Sequence, residues 1–475
     1  MVSSSNIITE QNLLIIALRE ENTILKEENT ILKNAVVSLT AKVEKLTTEL
    51  KLLKDKYNLN SETSSLPPSS DLYKKINKDE SIALKKRGAQ LGHPAHHRKL
   101  LPPDNVVFCE LGKKCHCGGT IKLLNKIRVI QKIELPEIKP LVTNYELEQG
   151  VCTCCEGRHT ANLPTGITPD LLGPKAKALV GTLTGMFNIS KPNTQLILKQ
   201  IFGIEICLGM VPKTENRVSE KCKGYYENVL EELKNSSYIH IDETSLQNTE
   251  VKKKSWIWVI ANAYASLFAI QKTRGKKVLA DLLSGYDGNV ITDRYAAYTF
   301  FSDAKRQACL AHIFRDFKRF EASSFDEISK VGKDLVKNLR SIFILKQEHV
   351  KNKISREFLL IQSQAFLYGI EENLKALSQM IKHKQASNVA KNILKRYDTL
   401  WLFLKIPSVS PTNNLAERCL RNSVIYRKTS FFVRSDKGER FIERIKTLLG
   451  TCKLRGENPF HILNGLLRPN DYSLA

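Results

Sequence analysis

The feature that most constrains the fold is a heptad repeat of leucine near the amino terminus. The repeating leucines are Leu18, Leu25, Leu32, Leu39, Leu46 and Leu53. The residues three positions before them are Ile15, Asn22, Asn29, Val36, Val43 and Leu50. This spacing is typical of a coiled-coil seam, in which two apolar positions of every heptad face a partner helix. The sequence therefore predicts a coiled-coil helix over residues 12–57.

Polar residues of the repeat predict how this helix associates. Asn22 and Asn29 at seam positions weaken the interface but favour a parallel, two-stranded register. Glu21, Glu28 and Glu49 stand five residues before Lys26, Lys33 and Lys54. This is the spacing of ion pairs between the chains of a parallel dimer, so we expect a homodimer or a higher oligomer. A helix that folds back on its own chain, or that binds another protein, is the alternative.

The net charge indicates the class of partner. The 475 residues include 73 Lys and Arg against 49 Asp and Glu, which gives a formal net charge of +24 at pH 7. A surface of this charge attracts phosphate polymers, so nucleic acid is the expected ligand, with membrane surfaces and acidic proteins as alternatives. No apolar run approaches the roughly 18 residues of a membrane span, so we expect neither a span nor a signal peptide.

Six of the eleven cysteines fall between Cys109 and Cys155, in a segment with short predicted strands. Such clustering fits a metal site in a reducing compartment better than a disulfide framework, which predicts a cytosolic location. Cys152 and Cys155 have the spacing of a zinc knuckle, and Cys115 and Cys117 complete a candidate four-sulfur Zn²⁺ site. The alternative ligands are Cys109, His116 and Cys154. A module that has lost its metal is the other interpretation.

Composition and apolar periodicity divide the chain into segments typical of a multidomain α/β protein. The predicted segments are the coiled coil at 12–57, a basic flexible arm at 58–104, a zinc-binding module at 105–165, a helical connection at 166–235, an α/β catalytic domain at 236–450 that contains a helical stretch at about 323–404, and a carboxyl-terminal tail at 451–475. Lys85, Lys86 and Arg87 of the arm are expected to track a DNA backbone or enter a minor groove. A merely solvated linker is the alternative.

Two predicted strands of the α/β domain each end in an aspartate. Asp242 follows the apolar run 238–241, and Asp293 follows the run 289–292. Active-site groups of α/β folds gather at strand ends, and two-metal cleavage of a phosphodiester needs hard carboxylate oxygens. Glu417, one turn into a helix capped by Thr412 or Asn413, is the candidate third carboxylate. Each carboxylate alone is typical of a solvated surface group, so the prediction depends on the three together.

Short motifs in the second half of the chain occur in a specific order. They are His240–Ser245, Thr292–Tyr298, Cys309–Phe317, Asn413–Arg421, Tyr426–Lys428 and Ser435–Gly438. With the leucine repeat, the segment Pro-Pro-Ser-Ser-Asp at 67–71 and Lys86–His93 upstream, they resemble the insertion-sequence transposases of the sixty-six family. The resemblance covers nearly the whole chain.

The resemblance implies a ribonuclease-H-like domain in which Asp242, Asp293 and Glu417 hold two Mg²⁺ or Mn²⁺ ions. These would catalyse DNA hydrolysis at the element ends and then strand transfer. It also implies a zinc-ribbon-like module and a helical insertion at 323–404 that faces DNA or a second subunit, or only packs on the core. The implied partners are terminal inverted repeats, target DNA and accessory transposition proteins, at the nucleoid in the bacterial cytoplasm.

Several cations near these carboxylates are candidate DNA ligands. His312 and Arg315 match a family motif and are expected to contact substrate phosphate or to orient a catalytic group, although a buried structural histidine is the alternative. The dense cationic run comprises Arg418, Arg421, Arg427, Lys428 and Arg434. Such a run suits phosphate contacts beside an active site, with a generic solvated basic face as the alternative.

Two other functions are compatible with these residues. A nuclease or integrase of the same fold would use the same carboxylates without joining strands. A dimeric, sequence-specific DNA-binding regulator would need only the coiled coil, the arm and the zinc module, with an inactive nuclease-like domain.

Overall fold

A computed structural model of the chain describes residues 4–60, 63, 99–124, 127–248, 253–430, 432–433 and 435–468. The chain forms two compact units. The larger comprises Met1–Lys75, Asn162–Thr194 and Leu208–Ala475, and the smaller comprises Ile76–Ala161 and Gln195–Cys207. The described residues form helices and a mixed sheet, as expected for a multidomain α/β protein.

The leucine repeat lies on one uninterrupted helix, α1 (Ser4–Tyr57), of 54 residues. At 1.5 Å per residue this helix is about 80 Å long. No Gly or Pro interrupts its sequence, which accounts for its continuity. Seam leucines such as Leu32 and Leu39 are about 60% exposed within the single chain. An exposed apolar seam is what a helix presents before it pairs, so the coiled coil stays a prediction.

The cysteine-rich part of the smaller unit contains little regular structure. Its two strands, β1 (Gln149–Val151) and β2 (Arg158–Thr160), pair as an antiparallel hairpin. Glu156 adopts a positive φ of 53° in the connecting turn. Large apolar side chains such as Val107 and Leu141 are exposed. With so little apolar burial, a segment of this kind needs a staple such as a metal ion to hold a single fold.

Four helices precede the sheet, where the sequence predicts a helical connection. They are α2 (Pro174–Gly185), α3 (Lys191–Phe202), α4 (Met210–Lys221) and α5 (Lys223–Lys234). Pro174 opens α2 in the position where a missing N–H costs nothing. Gly185 ends α2 against the helix Asp436–Arg455, and a Cβ at this position would lie 2.6 Å from Ile445 Cγ1 of that helix. The close approach of the two helices therefore requires glycine.

A mixed sheet forms the centre of the larger unit. Its main strands are β3 (Tyr238–Asn248), β4 (Lys253–Ala261), β5 (Ser266–Gln271), β6 (Asn289–Thr292) and β7 (Arg306–Ala308), and α6 (Lys276–Leu282) lies between β5 and β6. The strand order is β5-β4-β3-β6-β7. The first three strands form an antiparallel meander, and β6 and β7 run parallel to β3. The central strand β3 thus pairs with an antiparallel strand on one side and a parallel strand on the other.

Two predicted strand ends differ from the structure. The run 307–311 by its apolar character predicts a strand of five residues, but the strand ends at Ala308, because Cys309 is already the N-cap of the next helix. The strand predicted at 238–241 continues to Asn248, because residues 242–248 still pair with β4. The apolar runs alone do not predict where either strand ends.

Five helices follow β7, and the last four of them occupy the region 323–404, for which the sequence predicts a helical stretch. They are α7 (Leu310–Glu321), α8 (Asp326–Val350), α9 (Arg356–Gln379), α10 (Lys384–Leu394) and α11 (Leu402–Lys405). Leu335 and Leu339 of α8 pack with Ile370 and Leu374 of α9 in one buried cluster. Gln307 of β7 connects this cluster to the sheet, since its Nε2 donates to the Leu400 carbonyl at 2.9 Å.

The carboxyl-terminal part contains α12 (Asn414–Ser430), β8 (Phe432–Val433), α13 (Asp436–Arg455) and α14 (Pro459–Leu467). The segment predicted as a tail, 451–475, contains the end of α13 and all of α14, and Leu463 and Leu467 are buried in a cluster that includes Ala178 of α2. None of the helices in the described ranges carries an apolar stretch long enough to span a bilayer.

Helix α13 packs along β5, the edge strand of the sheet. The Thr451 hydroxyl accepts the Ser266 N–H at 3.1 Å, and the Thr447 hydroxyl accepts the Phe268 N–H at 2.9 Å. The Glu443 carboxylate accepts the N–H of Ile270 at 2.6 Å in the same way. These side chains satisfy donors that an edge strand otherwise presents to another chain. The edge strand β5 is thereby closed by the helix that follows the candidate site.

Candidate active site

The strand register brings Asp242 and Asp293 together. In the parallel pair of β3 and β6, His240 lies opposite Ile291. Two residues further along each strand stand Asp242 and Asp293, and adjacent strands lie about 4.8 Å apart. Asp242 is within β3 rather than at its end, which corrects the sequence expectation. It does stand where the pairing with β6 has ended, so the two aspartates share one edge.

Glu417 reaches this edge because the segment before α12 is anchored to the sheet. The Asn413 amide Nδ2 donates to the Ile241 carbonyl at 2.7 Å, and its Oδ1 accepts from His240 Nδ1 at 3.1 Å. The Leu310 N–H donates to the Pro411 carbonyl at 2.9 Å. Glu417 then follows in the first turn of α12. The charges of Asp293 and Glu417 both act on Asp242, so the three predicted carboxylates lie on one side of β3. Their oxygens do not all lie within 4.8 Å of one another in the described part of the chain.

The electrostatics of Asp242 reflect this convergence. Burial, and then the negative charges of Glu243, Asp293 and Glu417, raise the pKa of Asp242 to about 8, against the Glu243 N–H, which lowers it. A carboxylate whose pKa is raised by burial and by neighbouring negative charges is stabilised by a bound cation. Since hard divalent ions prefer oxygen ligands, the donor set fits Mg²⁺ or Mn²⁺.

The opposite face of β3 carries a second carboxylate network. Glu243 is buried and forms an ion pair with Arg274 at 2.5 Å, and the Tyr298 hydroxyl donates to its other oxygen. The Arg274 guanidinium lies 3.7 Å from the centre of the Tyr295 ring. Burial raises the pKa of Glu243, while Tyr298 and Arg274 lower it. These contacts fix the strand that carries Asp242.

His312 and Cys309 lie next to Glu417. The ligand atoms of Cys309, His312 and Glu417 all lie within 4.8 Å of one another. His312 Nδ1 is buried and has no hydrogen-bond partner among the described residues. Burial, and then the positive charge of Arg315, lowers the pKa of His312, which favours the neutral imidazole. The structure thus places His312 near the carboxylates, with Arg315 half-buried on the same helix.

The cations predicted to bind DNA differ in their surroundings. Arg418, Arg421 and Lys428 are exposed on α12 and make no ion pair with any residue that the structure describes. Arg427 is half-buried, and its guanidinium donates to the Thr244 and Ser245 hydroxyls at 3.0 and 2.9 Å. The remaining candidates, Lys85, Lys86, Arg87 and Arg434, lie outside the described residues.

The four candidate zinc ligands form two pairs. The Gly119 backbone, and then the Cys115 thiol, lower the pKa of Cys117 through hydrogen bonds. The backbone and the thiol of Cys155 lower the pKa of Cys152 likewise. No three of these four thiols lie within 4.8 Å of one another in the described part of the chain. Within the described residues, the two pairs of thiols therefore do not form one four-sulfur cluster.

Comparison with known proteins connects this arrangement to a family. A family model described as Transposase IS66 family matches residues 194–440, just over half of the chain. The chain belongs to this family. The match contains all three carboxylates, as well as Cys309 and His312. A second model, of a family of unknown function, matches residues 4–99.

Two curated relatives, both described as uncharacterized proteins, come from Sinorhizobium fredii (strain NBRC 101917 / NGR234). The chain is 25% identical to y4qI over 291 residues, which are 56% of this chain and 53% of the relative. It is 22% identical to y4hP over 399 residues, which are 75% of this chain and 71% of the relative. The chain therefore spans about half the length of the first relative.

Sequence reasoning on this IS66-family chain missed several residues of the site. Glu243 and Arg274 were not singled out, although the period of two along β3 puts Glu243 on the face opposite Asp242. Asn413 was considered only as a helix cap, whereas its side chain joins α12 to β3. Cys309 appeared only as part of a motif. No local signal reveals these contacts, because the partners are distant in sequence.

Proposed function

We propose that the chain is a DDE-type transposase that cleaves DNA at the ends of an insertion sequence and joins them to target DNA. Asp242, Asp293 and Glu417 hold the divalent ions, Mg²⁺ or Mn²⁺, for this phosphoryl transfer. The observation that carries the proposal is that Asp293 and Glu417 act on Asp242, whose pKa is raised to about 8 by burial first, then by Glu243 and then by these two carboxylates. Membership of a transposase family supports the same reaction.

A ribonuclease-H-like fold is part of the proposal. The order of the sheet supports it, since a central first strand is flanked by an antiparallel meander on one side and two parallel strands on the other. The first and fourth strands, β3 and β6, supply the two aspartates. Helices α8 to α11 then form an insertion between Asp293 and the helix that carries Glu417.

The protein contributes the positions of the carboxylates. A pair of divalent ions at such a site activates water or a 3′-hydroxyl and stabilises the leaving oxygen. Asp242 is held within a paired strand, and Asp293 directly follows one. Glu417 is held by the bonds of Asn413 to β3. Catalytic groups fixed on regular elements stay close to their productive geometry, so little reorganisation is needed during the reaction.

The exposed face of α12 binds DNA in this proposal. Arg418, Arg421 and Lys428 stand at intervals of three and seven residues, which places them along one side of the helix. Their charges contact phosphates beside the cleaved bond. Arg315 and His312 lie towards the carboxylates, and Arg434 and the arm cations at 85–87 extend the contact along the duplex.

The remaining segments assemble and position the enzyme. The helix at 12–57 joins two subunits, and a Zn²⁺ ion orders the module at 105–165, with Cys115, Cys117, Cys152 and Cys155 as ligands. The partners are terminal inverted repeats, target DNA and accessory transposition proteins, at the nucleoid in the bacterial cytoplasm. Two ends of one element must meet before joining. A dimer that binds both ends raises the effective concentration of one end near the other.

The test uses full-length protein, a labelled terminal repeat and Mg²⁺. Asp242→Asn removes one ligand charge at nearly constant volume, and we expect nicking and joining to fall at least about a thousandfold, since loss of one important transition-state interaction costs roughly 4 kcal/mol. The matched control is Asp334→Asn, the same change at an exposed position of α8, which should keep full activity.

Products that persist in Asp242→Asn would refute the catalytic assignment. Specific DNA binding without metal-dependent nicking would instead favour the DNA-binding regulator. Nicking without joined products would favour a nuclease.

A further inference from the structure

We propose that Cys309, His312 and Glu417 form a binding site for a thiophilic transition-metal ion such as Zn²⁺. Their ligand atoms, one sulfur, one nitrogen and one oxygen, already lie within 4.8 Å of one another. Bond lengths of about 2.0–2.3 Å in tetrahedral geometry require ligand separations of roughly 3.3–3.8 Å. Small rotations of side chains are therefore enough to close the site around an ion.

The backbone holds the two elements that supply these ligands. Cys309 is the N-cap of α7, and His312 lies in its first turn, so both project from the same end of one helix. The Asn413 N–H donates to Cys309 Sγ at 3.2 Å, and the Leu310 N–H donates to the Pro411 carbonyl at 2.9 Å. These bonds join the start of α7 to the segment that leads into α12 and Glu417. The ligands are thus preorganised by two fixed helix starts.

The Cys309 thiol and one imidazole nitrogen of His312 are buried beside a carboxylate. His312 Nδ1 is buried and has no hydrogen-bond partner among the described residues. Leaving a buried nitrogen without a partner is unfavourable, so a ligand that binds it stabilises the site. Cys309 is fully buried, within reach of that imidazole and of a carboxylate. A mixed set of sulfur, nitrogen and oxygen selects Zn²⁺ and similar ions over Mg²⁺.

The site has a consequence for activity that rests on the proposed function. Glu417 belongs to this cluster and also to the carboxylates that hold Mg²⁺ in the proposed reaction. An ion bound to Cys309 and His312 takes an oxygen of Glu417 and so competes with the catalytic ions. Zn²⁺ is therefore an inhibitor of cleavage at constant Mg²⁺.

The test measures the binding of Co²⁺ to the full-length protein, with Co²⁺ as a spectroscopic probe of the Zn²⁺ site. Tetrahedral Co²⁺ bound to a thiolate gives d–d and sulfur-to-metal charge-transfer bands, and the cysteine-rich module contributes a constant background. We expect Cys309→Ser to lose one equivalent of bound Co²⁺ and His312→Gln to weaken the same equivalent at least about tenfold, as changes around metal ligands do. The matched control is Cys419→Ser, on α12 two residues after Glu417, which should keep the wild-type spectrum.

Wild-type stoichiometry and affinity in both Cys309→Ser and His312→Gln, with circular dichroism confirming that they are folded, would overturn the inference. The two proposals fail separately. Absence of Mg²⁺-dependent nicking, with a Co²⁺ site that depends on Cys309, contradicts only the proposed function. Nicking that Zn²⁺ leaves unchanged, with no such Co²⁺ site, contradicts only the inference.

Discussion

Arg427 and Lys428 are adjacent cations on α12 with different surroundings. The Arg427 guanidinium donates to Thr244 Oγ1 and Ser245 Oγ of β3, so its charge ties the helix to the strand that carries Asp242. Lys428 is exposed and makes no ion pair within the described ranges. One cation therefore acts inside the protein, and its neighbour is available to a phosphate.

We expect Arg427→Met and Lys428→Met to separate these roles. Loss of the charged hydrogen bonds in Arg427→Met should lower the free energy of unfolding by about 2 kcal/mol. Lys428→Met should change it by less than about 0.5 kcal/mol. In DNA-binding titrations at several salt concentrations, Lys428→Met should reduce the slope of log K against log salt by about 0.9, the contribution of one phosphate contact.

Arg427→Met removes the same single positive charge as Lys428→Met and is the control in those titrations. Its slope should match that of the wild type, because the guanidinium is already engaged with β3. Equal loss of slope in both variants would show that Arg427 also contacts phosphate.

At the scale of elements, α12 and α13 pack around a buried lysine. Lys446 of α13 is only 3% exposed, and its ammonium donates to Asn422 Oδ1 of α12 at 2.6 Å. It also lies 5.1 Å from the centre of the Tyr426 ring. Burial lowers the pKa of Lys446 to about 7. The contact between the helix that bears Glu417 and the helix that closes β5 therefore depends on pH.

The direction of this dependence follows from proton binding. Between pH 7 and about pH 10, the unfolded chain holds a proton on Lys446 that the folded chain lacks, so stability rises with pH in this range. Lys446→Met removes the effect. We expect the variant to be more stable than the wild type near pH 6, and this advantage to shrink by up to about 2.7 kcal/mol between pH 7 and pH 9.

Chemical unfolding at several pH values, followed by tryptophan fluorescence, measures this pH dependence of stability. The probes Trp256, Trp258 and Trp401 all lie in the same α/β domain as Lys446. The control is Lys453→Met, an exposed position of the same helix, whose difference from the wild type should be constant with pH. A constant difference for Lys446→Met as well would mean that the lysine stays charged in the folded protein.

At the scale of the whole molecule, α1 ends against the helical insertion. The Asp55 carboxylate accepts the Ser324 N–H at 2.7 Å and the Ser323 hydroxyl at 2.8 Å, just before α8 begins. Lys51 Nζ lies 5.4 Å from the centre of the Phe325 ring. The rest of α1 keeps its leucine seam exposed. Pairing of that seam would carry two catalytic domains on one scaffold.

We expect the double variant Leu32→Glu and Leu39→Glu to convert the dimer into a monomer. Four glutamates in one seam replace buried apolar contacts with like charges, which a coiled coil does not tolerate. Sedimentation velocity of the full-length protein measures the change. Val37→Glu, next to the seam and 70% exposed, should stay dimeric. A wild-type protein that is monomeric at micromolar concentration would contradict the prediction.

The sequence by itself determined the elements whose information is local. The period of seven predicts α1, and apolar runs predict the strand that contains Asp242 and the strand that precedes Asp293. A buried helix seam or strand places apolar residues at a regular spacing in consecutive sequence, so this information is local. The parallel pairing of these two strands then brings two aspartates to one edge. The family motif Asn413–Arg421 also indicates Glu417 as the third carboxylate from the sequence alone.

Only the tertiary structure decided how distant residues meet at that edge. Glu417 lies 124 residues beyond Asp293, and its approach depends on Asn413 bonding to β3 across the helical insertion. The cluster of Cys309, His312 and Glu417 and the bonds of Arg427 to β3 likewise join separate elements. Local periodicity cannot encode such contacts, because they arise from the packing of elements against one another.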